Sequence, residues 1–164
     1  MNELRNATLV FLIKKTDGQI KDICLALKKR GFGIHRWNGV GGKVNGQSET
    51  IEEAARREAK EEILVDVQQL HKVAELTFYF PHHSAWDQMV HVYLAEQWRD
   101  EPRESDEMKP EWFSVNELPF QEMWPDDIFW LPDVLKGHLL KAMFTFGEQD
   151  VVRDKKVEMV QKFS

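Results

Sequence analysis

The sequence predicts an α+β fold in one domain, residues 1–164. Short apolar runs rich in β-branched and aromatic residues recur along the chain, only two segments carry helical periodicity, and the two kinds follow in mixed order. The first strand is Thr8 to Ile13. Asp17-Gly18 is a turn signal, and Ile23 to Lys28 completes a hairpin. Gly31 to Gly46 holds six glycines (31, 33, 39, 41, 42 and 46), a loop where the backbone turns sharply or approaches something closely. Thr50 to Ile63 is the clearest helix, opened by a Thr50–Glu53 capping box and carrying an apolar stripe of Ile51, Ala54, Ala55, Ala59 and Ile63. Val73 to Phe80 and Met89 to Ala95 are strands separated by a polar loop with Pro81, His82 and His83. Glu101 to Pro110 reads as a charged loop and Trp112 to Val115 as a short strand. Asp127 to Leu140 reads as a helix with Pro132 in its first turn, and Phe144 to Phe146 with Val151 onwards as a last hairpin.

Of the residues, 42% are hydrophobic and 30% charged, an ordinary globular balance. Lys plus Arg is 22 against 28 Asp plus Glu, a net charge of −6, which disfavours a binder of duplex nucleic acid. The apolar run Ala7 to Ile13 is too short for a membrane span and is followed by Lys14 and Lys15 rather than a cleavage site, so the chain is expected in the cytoplasm. Cys24 is the only cysteine, which excludes an intrachain disulfide, and its strand position predicts an inert buried thiol. The six histidines show no zinc spacing, and His82-His83 is expected to be solvated. With an acidic surface and no exposed apolar run, a monomer is expected.

Glu58, Glu61 and Glu62 stand at i, i+3 and i+4 and share a helix face, where like charges repel. Glu58 and Glu62 also border the apolar stripe, and carboxylates so placed need compensation. A divalent cation supplies it, and an all-oxygen donor set suits Mg²⁺ or Mn²⁺. On the helix alone a solvated acidic face, paired with Arg56, Arg57 and Lys60, is the commoner arrangement.

Gly42 to Val65 reads GKVNGQSETIEEAARREAKEEILV. This resembles the Nudix box, Gly-x5-Glu-x7-Arg-Glu-U-x-Glu-Glu-x-Gly-U with U a bulky apolar residue, at Gly42, Glu49, Arg57, Glu58, Glu61, Glu62 and Val65. There are three departures. Six residues rather than five separate Gly42 from Glu49, so Asn45 to Ser48 is expected to bulge. Ala59 replaces a bulky residue. Leu64 replaces the glycine that ends the helix in a left-handed conformation, predicting a shifted or strained end. Outside the box, Lys28-Lys29-Arg30-Gly31-Phe32-Gly33, Arg36-Trp37-Asn38-Gly39, Glu104-Ser105-Asp106-Glu107-Met108 and Met123-Trp124-Pro125-Asp126-Asp127 resemble the Nudix members that sanitise oxidised purine nucleotides. The similarity runs from about Thr8 to Asp150.

The resemblance implies a Nudix fold: a mixed β-sheet in an α/β/α sandwich, with a loop–helix–loop catalytic motif. It implies a small-molecule nucleotide substrate such as 8-oxo-dGTP or 2-hydroxy-dATP, hydrolysed to monophosphate and pyrophosphate with Mg²⁺. Glu58, Glu61, Glu62 and Glu107, with the Gly42 carbonyl, are the candidate metal ligands, and one carboxylate is the proton acceptor. Arg57 is expected to orient Glu49 or a catalytic glutamate through a bidentate pair. Lys28 is a candidate for phosphate or ribose. Asp126 and Asp127 repel if both are buried and ionised, so one pKa is expected to rise; with Asn38 they form a donor–acceptor set for a purine edge. Trp124 offers a stacking face, Phe32, Phe78, Trp130 and Phe146 are walls, and Thr8 adds a hydroxyl. Other nucleotides (ordinary, methylated or dinucleotide) and a non-catalytic nucleotide sensor are the competing readings.

Overall fold

The computed structural model describes residues 4–163. In chain order the strands are β1 (Arg5–Thr16), β2 (Gln19–Lys28), β3 (Trp37–Asn38), β4 (Asp66–Val67), β5 (His71–Tyr79), β6 (Gln88–Ala95), β7 (Trp98–Arg99), β8 (Met108–Ser114), β9 (Leu139–Phe146) and β10 (Val152–Val160). The helices are α1 (Ile51–Ile63) and α2 (Asp127–Leu135). The main sheet runs β10-β9-β5-β6-β1-β2-β3, with β8 on the other edge of β2. Its β1–β6 and β5–β9 pairs are parallel and the others antiparallel, so the sheet is mixed.

β1 organises the layers. Because strand side chains alternate between faces, Leu9, Phe11 and Ile13 pack with Trp130, Leu131 and Val134 of α2, while Val10 and Leu12 pack with Ala55, Ala59 and Ile63 of α1. The helices therefore cover opposite faces. Ala54, Ala55 and Ala59 are fully buried, so small side chains carry α1 onto the sheet where the Nudix box favours a bulky residue at position 59. Truncating a buried phenylalanine such as Phe11 to alanine costs about 3–5 kcal/mol in cores of this kind.

The capping box forms as its residues predict: Thr50 Oγ1 accepts from Glu53 N at 3.1 Å, and Glu53 Oε1 accepts from Thr50 N at 2.9 Å. At the other end Leu64 takes the left-handed conformation (φ 64°, ψ 33°) and donates its N–H to Lys60 O. The helix thus stops where the glycine version would stop, and the departure is absorbed as strain. The expected bulge is a tight turn in which Ser48 Oγ donates to Asn45 O at 2.7 Å and Gly46 has φ 51°.

Three expectations need correction. The second helix ends at Leu135, not Leu140: Gly137 turns the chain at φ 100°, and Leu139 and Leu140 already belong to β9, where alternate residues enter the core. Pro132 lies inside that helix rather than in its first turn. Met108 to Pro110 is the start of β8, not loop, paired with Ala26 to Lys28. Its charged residues Lys109 and Glu111 face solvent, which hid the alternation, and Pro110 is tolerated because β8 is an edge strand.

Cys24 is buried and desolvation pushes its thiol up to about 12, as an inert thiol requires. His82 and His83 are exposed. His91 is buried, its ring nitrogens 3.0 Å from Lys72 Nζ and 3.0 Å from Asn6 Oδ1, and burial holds its pKa below the usual imidazole value. Among the described residues no helix is long and apolar enough to cross a membrane.

Candidate active site

A cavity of about 570 Å³ opens beside β1. The glycine-rich segment closes one side by lying along the β1 edge: Thr8 N donates to Gly42 O at 2.9 Å, and Val10 and Val40 exchange both backbone hydrogen bonds. Only glycine fits at Gly39 and Gly41, where the backbone carbonyls of Val10 and Thr8 stand in the way of a side chain. A Cβ on Gly42 would lie 2.7 Å from Glu58 Oε1. The backbone is therefore pressed directly onto the acidic face of α1.

At that end Glu62 is 2% exposed. Its Oε1 accepts from Gly41 N at 2.8 Å, and its Oε2 has no partner among the described residues. Burial, with the charges of Glu58 and Glu107 added, pushes its pKa up to about 8. Arg57 organises the rest. Its Nε and Nη2 reach Glu49 at 3.0 and 2.7 Å, and its Nη1 reaches Glu58 at 2.9 Å and Glu61 at 3.3 Å. Those bonds and the Asn45 N–H hold Glu49 below the usual carboxylate range. Glu58 is largely buried, Glu61 mostly exposed. Glu107 stands 3.6 Å from Lys28 and 3.7 Å from Arg30.

Among the described residues no three acidic, His or Cys side chains form a ready-made cation cluster. The donor set nevertheless fits a hard divalent ion. The orphaned Oε2 of Glu62 is a buried carboxyl oxygen that a cation would satisfy, Glu58 lies against Gly42, and His or Cys donors are absent from this helix face.

At the other end Asp126 and Asp127 are each 2% exposed. Trp130 Nε1 donates to Asp126 Oδ2 at 2.8 Å, whereas Asp127 Oδ2 has no partner among the described residues. Burial raises both pKa values. Asp126, relieved by Trp130, rises to about 6; Asp127, facing the Asp126 charge, rises further. Two adjacent carboxyls buried together cannot both ionise freely, so the pair favours holding a proton between them. Asp126 occupies the N-cap position of α2 but makes no side-chain cap; its carboxylate is held by Trp130 instead, and the residue lines the cavity. Asn38 Oδ1 accepts from Gly39 N at 2.8 Å, which engages its acceptor and leaves the NH₂ donors to offer. Phe32 and Phe146 lie 5.0 and 6.0 Å from Trp124, and Phe78 stacks on Phe144 at 5.9 Å.

All ten residues expected at a nucleotide site — Thr8, Lys28, Phe32, Asn38, Phe78, Trp124, Asp126, Asp127, Trp130 and Phe146 — line this one cavity, and so does Gly42. Arg5, Arg36, Lys43 and Trp86 line it as well and were not singled out as binding residues, and Gln88 lies in the same wall. Arg5 and Gln88 are register partners on neighbouring strands, a signal that sequence spacing alone does not carry.

A family model described as the NUDIX domain matches residues 3–134. The chain belongs to the Nudix hydrolase family. Enzymes of this family generally use divalent metal ions. A Danio rerio relative is 43% identical over 139 residues, covering 85% of this chain and 88% of its own. A Mus musculus relative is 39% identical over 163 residues, covering 99% and 100%. Both are named oxidized purine nucleoside triphosphate hydrolase. Among solved structures, a MutT protein from Bacillus halodurans aligns with a TM-score of 0.79 at 21% identity, covering 94% of this chain and 98% of that one, a likeness of fold. A MutT Nudix hydrolase from Burkholderia pseudomallei has a TM-score of 0.61 at 26% identity, covering 72% and 88%. The acidic helix and the Asp126–Asp127 pair of this Nudix chain both fall within the matched region, whereas β9 and β10 lie beyond it.

Proposed function

We propose that this Nudix hydrolase, as one domain, cleaves oxidised purine nucleoside triphosphates such as 8-oxo-dGTP and 2-hydroxy-dATP to monophosphate and pyrophosphate. The observation that carries the reading is one cavity bordered by a buried Asp pair at one end and by Gly42, pressed on Glu58, at the other. The two relatives' names support the same substrate class.

Mg²⁺, with Mn²⁺ as an alternative, would be held by Glu58, Glu61, Glu62, Glu107 and the Gly42 carbonyl. When bound it supplies neutralisation of the phosphate oxygens and eases attack by water. The chain's own residues do the rest. A carboxylate of this group takes a proton from the attacking water. As the water oxygen bonds to phosphorus, the bond to the pyrophosphate oxygen breaks and that oxygen carries the electron pair away. Arg57 holds the carboxylates in place, and Lys28 meets the phosphate chain. Protonated Asp127 donates and ionised Asp126 accepts at the purine edge, Asn38 adds a donor, and Trp124 stacks on the base, with Phe32, Phe78, Trp130 and Phe146 as walls. Shifting the shared proton between the two aspartates lets one pocket accept both oxidised guanine and oxidised adenine. The partner is a small nucleotide, met by a cytoplasmic monomer; neither duplex nucleic acid nor membrane is involved.

Pyrophosphate release with Mg²⁺, compared for 8-oxo-dGTP, 2-hydroxy-dATP, dGTP and dATP at equal low concentration, tests the reading. A strong preference for the oxidised pair is expected. Equal rates would remove the sanitising role and favour a second reading, a Nudix hydrolase for another nucleotide. Trp86 and Gln88 in the cavity wall, from and just after the Pro81–Asp87 loop, favour that alternative over a sensor, which has no need of the intact glutamates.

A further inference from the structure

Arg36 belongs neither to the acidic helix nor to the aspartate pair, yet it is anchored at both of its ends. Its backbone is fixed beside the end of β2, where its carbonyl accepts from Lys28 N at 3.0 Å. Its guanidinium carbon lies 4.1 Å from the centre of a Trp124 ring, and its Nη1 reaches Asp150 Oδ2 at 2.8 Å. Both side chains of the ion pair are about a quarter exposed, so water screens the pair only in part. Asp150 and its neighbour Gln149 are consecutive non-glycine residues at φ 59° and 61°, in the turn between β9 and β10. Side chains disfavour that backbone, so the turn is held in an unfavourable shape at the point where its carboxylate meets Arg36.

We propose that Arg36 is a positioning residue for base recognition: clamped by Asp150, its flat guanidinium covers one face of Trp124 and fixes the indole so that the other face receives the base. The inference rests on the reading that the cavity takes an oxidised purine. A cation over an indole is attractive, and a planar fork that stacks and pairs at once is a capacity lysine lacks. The Arg36 charge also works against the burial that raises Asp126 and Asp127, so the same side chain bears on both halves of the base site.

The test compares the full-length wild type with Arg36→Met, Arg36→Lys and Asp150→Asn. Two readouts are followed: kcat and KM for 8-oxo-dGTP, and inhibition by inorganic tripolyphosphate, which has no base. Loss of the planar guanidinium that stacks on Trp124 and pairs with Asp150 at once predicts a KM rise of about tenfold for Arg36→Met and Arg36→Lys alike, with kcat within about twofold. Asp150→Asn, which leaves Arg36 in place and tolerates the left-handed turn, is expected to raise KM in the same direction. Tripolyphosphate inhibition stays at the wild-type level in all three. An unchanged KM, full rescue by Arg36→Lys, or equal loss at the base and phosphate ends would overturn the proposal. A wild type with no preference for oxidised purines would overturn the functional reading, and this inference with it.

Discussion

Arg57 grips Glu49 through two hydrogen bonds of 3.0 and 2.7 Å, and the same guanidinium reaches Glu58 at 2.9 Å. One side chain thereby ties the turn ahead of α1 to the acidic face on α1. Lysine keeps the charge but cannot reproduce the fork. Arg57→Lys is expected to lower kcat/KM about 10–100-fold, the usual cost of disturbing groups that orient metal ligands. Steady-state kinetics at saturating Mg²⁺ check this; wild-type activity would show that Glu49 is held for stability alone.

Glu62→Gln is expected to remove turnover by at least about 100-fold while the chain still folds, because the amide keeps the shape and loses the charge. A stability signature accompanies it. In chelator the folded pKa of Glu62 is about 8 against an ordinary 4.5, so the native state binds the extra proton. Stability from this group is present below pH 4.5 and is lost as pH rises towards 8. Urea midpoints in chelator from pH 5 to 9 should fall for the wild type and fall less for Glu62→Gln.

Asp127→Asn mimics the protonated aspartate permanently. The pair's folded pKa values are raised, Asp126 to about 6 and Asp127 further, so the wild type loses stability as pH rises from about 4 through 6 and beyond. The variant should therefore be more stable than wild type at pH 8 by about 1–3 kcal/mol, the usual cost of a buried unsatisfied polar group, and nearly equal to it at pH 4. Its kcat/KM from pH 5 to 9 should keep the titration of Asp126 but lose that of the shared proton, and its ratio of 8-oxo-dGTP to 2-hydroxy-dATP should change less with pH than the wild type's. A flat wild-type profile for both substrates would sink the shared-proton account.

Leu64 holds a left-handed backbone at φ 64°. Leu64→Gly should relieve about 1 kcal/mol of strain, less what the half-buried side chain contributes by packing. The expected result is a higher urea midpoint with an unchanged slope. A lower midpoint would mean that packing outweighs the strain.

What was legible in the sequence is what local chemistry writes there. Thr50 and Glu53 mark the helix start because the capping box is local, and Glu58, Glu61 and Glu62 mark its acidic face because helical spacing is fixed. The alternation in β1 tells which residues face each helix. What was hidden is set by pairing between distant segments. His91 lies in a strand like any alternating residue, and only Asn6 and Lys72, from the two flanking strands, make it a buried polar site. Met108 to Pro110 reads as loop because its outward side chains are charged, and β2 supplies the partner that makes it strand. Arg36 and Asp150 are 114 positions apart, and no spacing rule links them.

The single thiol has a consequence for the conditions in which this chain works. Peroxide and related oxidants attack the thiolate, and a buried Cys24 held at a pKa of about 12 offers almost none at physiological pH. The proposed substrates arise where such oxidants are abundant. A Nudix enzyme whose only cysteine is sealed between sheet and helix offers such oxidants almost no thiolate to convert to a sulfenic acid or to crosslink. Among the described residues Met159 on β10 is the methionine with the most exposed side chain and does not line the cavity, so a sulfoxide there would meet solvent instead of the core.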